Sequence, residues 1–108
     1  MVMREPTYFL LLALAAEPLH GYAIAARARE LSDERVKLTA GTLYGALDRL
    51  TDTGEVALDR EEQVDGRTRR YYRLTDHGAA ELRLATDRFR ATVRTAESVL
   101  SARLSSAS

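Results

Sequence analysis

Hydrophobic positions recur at helical spacing most clearly in residues 38–50, where Leu43, Leu47 and Leu50 form one apolar stripe. Thr39 stands just ahead as a fitting N-cap, because its hydroxyl can accept a bond from an orphan amide of the first turn. Gly54 sits where a C′ glycine closes such a helix. The face opposite the leucines carries Gly41, Thr42, Tyr44, Gly45, Asp48 and Arg49. Two glycines inside a helix cost about 1 kcal/mol each relative to alanine. Four residues apart, they share one exposed face on which a large partner such as a nucleic-acid backbone can approach the helix closely. The alternative is a surface helix of weak propensity with no partner.

The same pattern predicts the remaining elements. Pro6 suits the first turn of a helix over residues 6–16 that Pro18 stops. Tyr8, Phe9, Leu10, Leu11, Leu12 and Leu14 make it apolar nearly all round, which calls for burial on more than one side, part of it against a second chain. His20-Gly21-Tyr22 opens a second helix to about residue 31, with Gly21, Ile24, Ala25, Ala28 and Leu31 facing inward. After Gly54, Val56 and Leu58 alternate with Glu55, Ala57 and Asp59 as in a half-buried strand. Asp65-Gly66 is a turn signal. The returning strand, residues 67–74, puts Tyr72 and Leu74 on one face and Arg67, Arg69, Tyr71 and Arg73 on the other. A lone hairpin is marginal, so this one must pack on the helices.

Thr75 caps a last helix, with Asp76 well placed in its positive first turn. Its stripe reads Leu82, Ala85, Phe89, Val93, Ala96, Leu100 and Leu104, close to an eleven-residue repeat, which describes a nearly straight packing helix and not a left-handed coiled coil. At about 1.5 Å per residue it extends about 45 Å, more than so small a body can cover. Part of the stripe therefore needs a partner chain. A Ser-Ser-Ala-Ser tail, residues 105–108, is expected to be disordered.

Composition narrows the chemistry. A chain of 108 residues is one domain with a long appended helix at most. With no cysteine, disulfides, thiolate zinc sites and a thiol nucleophile are excluded. The longest apolar run, residues 8–16, is too short to span a bilayer, and it lacks the flanks of a signal peptide; the cytoplasm is the expected location. The formal net charge is zero, from 16 basic and 16 acidic residues, so the distribution of charge matters more than its sum. Arg67, Arg69, Arg70 and Arg73 lie in a run free of acids, while Asp59, Glu61, Glu62 and Asp65 lie just upstream. Lys37 is the only lysine, so nearly all positive charge is guanidinium, the better fork for phosphates and guanine edges.

Three helices, the third with a polar, glycine-notched face, followed by a basic hairpin, compose a mainly α winged helix-turn-helix with a small β-hairpin. Residues 1–75 would form the DNA-binding domain and residues 76–104 a C-terminal dimerisation helix. The third helix would enter a major groove and the hairpin would lie over the adjacent backbone. On Leu19-His20-Gly21-Tyr22, on Thr39-x-Gly41-Thr42-Leu43-Tyr44-x-x-Leu47-x-Arg49-Leu50 and on Gly66-Arg67-x-Arg69-Arg70-Tyr71-Tyr72-x-Leu74-Thr75-x-x-Gly78, the sequence resembles the PadR family of bacterial transcriptional regulators. The resemblance covers residues 6–78, and the single last helix looks like the family's compact branch. It implies a homodimeric regulator, usually a repressor, that joins through its first and last helices and releases double-stranded DNA when a small aromatic effector binds. Carried over by position, Thr39, Gly41, Thr42, Tyr44, Gly45 and Arg49 match the recognition helix, and Arg67, Arg69 and Arg70 match the basic wing. The acidic first strand departs from wings that are basic on both strands.

Tyr44 has a second reading as a helix-packing residue beside Leu43, and Arg49 as an intrahelical partner of Asp52 or Glu55. Tyr72 belongs to the core by parity. The interface residues expected between two copies are Tyr8, Leu11, Leu82, Phe89, Val93 and Leu100, around a two-fold axis that demands an inverted-repeat operator. His20 and His77 both stand at helix starts without a metal-ligand partner, and no phosphate loop or nucleophile elbow is present, so neither catalysis, a metal nor a cofactor is expected. Tyr8, Tyr22 and Phe89 are the aromatics available to an effector. A winged-helix module that docks on a protein is the alternative function.

Overall fold

Glu5 and Pro6 begin α1 (Glu5–Ala13) in the computed structural model, which describes residues 3–107, with side chains through residue 106. The helix stops three residues before the expected end. Leu14 and Ala15 donate to Leu11 and Leu12 in a tightened last turn, and Pro18 disfavours helical geometry in the residue before it. Phe9, Leu10, Leu11 and Ala13 are all buried within the single chain, so α1 finds most of its cover at home. Leu11 and Leu82, expected between two copies, are 0% and 8% exposed and belong to their own chain's core, which leaves them no surface for a second one.

Leu19 and His20 form a short strand, β1 (Leu19–His20), that the sequence pattern does not reveal. It pairs antiparallel with the returning hairpin strand, Leu19 opposite Tyr72 and His20 opposite Tyr71. Then α2 (Gly21–Leu31) buries Gly21, Ile24 and Ala28, as its stripe requires. The turn after it passes through Asp33 and Glu34, both left-handed (φ 53° and 69°). Ser32 secures this turn from inside: its hydroxyl donates to the Arg29 carbonyl and accepts the Val36 amide. Arg35 ties it to α1 through an ion pair with Glu5 at 2.6 Å.

Next, α3 (Ala40–Thr53) is capped by Thr39, whose Oγ1 accepts the Thr42 amide at 3.3 Å, and it ends on left-handed Gly54. Leu43, Ala46, Leu47 and Leu50 drive into the core between α1, α2 and the sheet.

The hairpin consists of β2 (Val56–Val64) and β3 (Arg67–Leu74), in a three-stranded sheet ordered β1-β3-β2. Its turn has φ 50° at Asp65 and 78° at Gly66, positive at both central residues, the type I′ pattern for which Asp-Gly is favoured. The expected alternation in β2 fails beyond Val56. The register shifts between Leu58 and Arg60, so that Asp59 is the extra residue of a bulge. Leu58 is 46% exposed on this edge strand, while Glu55, expected outside, is buried. Burial of that carboxylate is compensated: the Thr53 hydroxyl donates to it and His77 Nε2 lies 3.6 Å away.

The last helix, α4 (Asp76–Ala107), starts at Thr75, whose Oγ1 accepts the Gly78 amide at 3.0 Å and donates to the Gly54 carbonyl. It continues through residues 105–107, where the tail was expected to be disordered, because serine lowers helix propensity only modestly and no glycine or proline intervenes; residue 108 lies outside the described residues. At about 1.5 Å per residue the helix is about 48 Å long, and it gives the molecule its extents of 67 × 26 × 22 Å. The body covers only its first turns. Phe89, Val93 and Leu100 are 39%, 53% and 58% exposed.

Candidate nucleic-acid interface

Everything the apolar stripe of α3 leaves over faces outward: Gly41, Thr42, Tyr44, Gly45, Asp48 and Arg49 are all exposed. A Cβ added at Gly41 or Gly45 meets nothing within 4 Å, so packing inside the chain requires neither glycine. Thr39 and Thr42 hydroxyls bond each other at 3.0 Å at the start of the helix. Tyr44 packs against the start of α2 and stays partly exposed. Its ring lies over Gly21, where a Cβ would come within 2.5 Å of the phenol oxygen, and it remains 48% exposed along its other side. A larger residue at position 21 would require the Tyr44 ring to shift. Among the described residues Arg49 forms no ion pair with Asp52 or Glu55, and Glu55 is held by Thr53 and His77 instead.

The wing sorts its arginines. Arg60 donates to Glu62 at 2.9 Å and to Asp59 at 3.1 Å, and its guanidinium lies 3.9 Å over the Tyr71 ring. The hydrogen bond from Arg60 holds the Glu62 carboxyl below the usual carboxylate range. Arg70 pairs with Glu61 at 3.2 Å and Arg73 approaches Asp59 at 3.9 Å. Arg67 and Arg69 form no ion pair within 4 Å among the described residues. The acidic first strand thus neutralises Arg60, Arg70 and Arg73 in part and leaves two guanidiniums for an outside anion.

Between α3 and the wing lies a cleft of about 900 Å³. Tyr44 and Asp48 line it from α3, Arg67, Arg69 and Arg70 from β3, and His20 and Tyr22 from the junction of β1 and α2. These last two were not assigned to the interface on sequence; the exposed aromatic beside a glycine at a helix start was the available signal. His20 Nδ1 accepts the Ala23 amide at 3.4 Å and caps α2. Burial, and then the charge of Arg69, lower the His20 pKa, with Glu62 opposing them.

The sequence profile of the transcriptional regulator PadR-like family matches residues 10–84. The chain belongs to that family. This PadR-like protein superposes on a PadR family transcription regulator from Clostridium difficile R20291 with a TM-score of 0.74 and 26% identity, over 90% of this chain and 99% of that one. A PadR family regulator from Eggerthella lenta is 28% identical, with a TM-score of 0.69 over 89% of this chain and 84% of the other. Bacillus subtilis PadR, whose structure was solved in complex with operator DNA, is 28% identical with a TM-score of 0.65, over 74% of this chain and 45% of that one. No curated protein matches the chain. The winged helix-turn-helix is the fold of the PadR-like protein, and no helix among its described residues is long and apolar enough to cross a membrane.

Aromatics on α1 and α4 lie together. Tyr8 meets Phe89 edge to face at 4.9 Å, and its hydroxyl is 2.8 Å from Thr86 Oγ1. Tyr22, the third aromatic available to an effector, lies apart from them in the cleft, near-parallel to His20.

Proposed function

We propose that this PadR-like regulator binds duplex DNA as a symmetric homodimer, with α3 in the major groove and the wing on the adjacent backbone, and that it acts as a ligand-responsive repressor. The observation that carries the reading is the face of α3. Two glycines that the fold does not need stand on an exposed helix, across a cleft from two arginines without ion pairs. Groove entry gives the glycines a reason, since a helix without side chains at those points can press closer to base edges and sugar-phosphate. The relative from Bacillus subtilis bound to operator DNA supports the same use of the fold.

Dimerisation answers the exposed part of α4. Phe89, Val93 and Leu100 form an apolar stripe that the single chain leaves in water, and half-buried Tyr8 adjoins it. A two-fold axis there sets two copies of α3 about 34–36 Å apart, the spacing of successive major grooves, and an inverted repeat is the matching operator. The aromatic pair Tyr8–Phe89 beside that stripe is where a small aromatic effector would insert and change the angle between subunits. The direct test is anisotropy of a labelled duplex titrated at several salt concentrations. DNA binding through several phosphates falls steeply with salt; a salt-insensitive contact would favour a protein-docking module.

A further inference from the structure

His20, Tyr22 and Arg69 meet in the cleft where β1 joins β3 and α2 begins. Because His20 Nδ1 accepts the Ala23 amide, the neutral ring carries its proton on Nε2 and presents that nitrogen as a donor. Ring contacts fix its orientation: Tyr71 stands edge-on at 5.4 Å, and Tyr22 lies nearly parallel at 6.5 Å. Among the described residues Nε2 has no acceptor. Desolvation and the Arg69 charge both favour the neutral ring. Tyr22 is 81% exposed and lines the same cleft as His20 and Arg69.

We propose that His20 and Tyr22, with Arg69, form a seat for one backbone phosphodiester of duplex DNA, where the strand crosses between the groove entered by α3 and the groove under the wing. The inference rests on the DNA-binding reading and adds α2 as a third contact element. A phosphodiester offers two non-bridging oxygens that share one negative charge, which suit an imidazole N–H, a phenol O–H and a guanidinium together. Asp48, on the α3 wall, repels an anion there and confines it to the wing side. The imidazole therefore has two separable duties, an acceptor for the helix and a donor for the ligand.

The two duties are separated by substitution. Serine and aspartate both cap helices, so His20→Ser and His20→Asp keep the start of α2 and lose the Nε2 donor. Tyr22→Phe removes only the hydroxyl. With a labelled random-sequence duplex of about 30 base pairs, long enough for two half-sites, His20→Ser and Tyr22→Phe should each weaken low-salt binding about tenfold, the worth of a hydrogen bond to a charged group. Their salt slopes should match wild type, since no cation is removed, and His20→Asp should bind more weakly still. Wild-type binding with His20→Ser and Tyr22→Phe unimpaired overturns the seat and leaves the DNA reading standing. No duplex binding by wild type at any salt overturns both. Millimolar inorganic phosphate at constant ionic strength should weaken duplex binding by wild type more than by His20→Ser; inorganic phosphate that binds wild type through His20 and leaves duplex affinity unchanged assigns the seat to a free anion and overturns the backbone assignment.

Discussion

Glycine at position 45 is expected to weaken the fold and serve the ligand. Gly45 lies inside α3, where replacement by alanine stabilises a helix by about 1 kcal/mol. The added Cβ meets nothing within 4 Å, so no clash offsets that gain. Gly41 stands in the first turn, where the backbone is less constrained, and its gain should be smaller. In a chain of this size 1 kcal/mol moves the melting temperature by roughly 4 °C. Gly45→Ala should therefore melt about 4 °C higher than wild type by circular dichroism. DNA binding should move the other way. Gly45→Leu holds the helix off the groove and forfeits at least one base-pair readout, about 1–3 kcal/mol, which is roughly five- to 150-fold in affinity for the cognate site. Alanine should fall between glycine and leucine. Lower stability in Gly45→Ala, or undiminished operator affinity in Gly45→Leu, would refute the reasoning.

Other perturbations separate the parts. Arg67→Ala and Arg69→Ala should weaken all DNA sequences alike and flatten the salt slope by about one unit each, while Arg70→Ala, whose charge is already paired with Glu61 at 3.2 Å, should change it less; a loss confined to the cognate sequence would contradict the phosphate assignment. Val93→Glu places an unpaired charge in the proposed subunit interface at a cost of several kcal/mol, so ultracentrifugation should find monomer or aggregate, and operator binding should vanish although the residue touches no DNA. The pKa of His20 is lowered in the folded chain, so its contribution to stability is complete above its ordinary value of 6.5 and is lost as pH falls through the depressed folded value. Melting of wild type should drop more steeply than that of His20→Asn as pH falls from about 7 to 5; parallel curves would show that the ring does not titrate as described.

Local signals were legible wherever one segment carries its own instructions. The N-cap at Thr39, the left-handed stop at Gly54 and the Asp65-Gly66 turn all act over a few residues, and each lies where the pattern puts it. What depends on distant partners was not. Two residues cannot display alternation, so β1 exists only because Tyr71 and Tyr72 pair with it. Leu58 keeps its register opposite Tyr72 but stands exposed on the edge strand, with the bulge at Asp59 following it, and Glu55 is buried because α4 starts against it. Periodicity also says that a face is apolar without saying whose core it joins. Leu82 and Val93 lie on one stripe of α4, yet the first belongs to its own body and the second is 53% exposed. The candidate DNA surface shows the same division. Its α3 and β3 residues follow from spacing, whereas His20 and Tyr22 join them only through the fold.

The most direct measurement is a footprint of the protein on the DNA upstream of its own gene and the neighbouring genes. The expected result is protection of an inverted repeat with half-sites about one helical turn, 10–10.5 base pairs, apart, shifted to higher protein concentration in both halves by Gly45→Leu and abolished by Val93→Glu. Protection of a single unsymmetric site, or a wild-type footprint from either variant, would contradict a dimer that reads DNA through the notched face of α3.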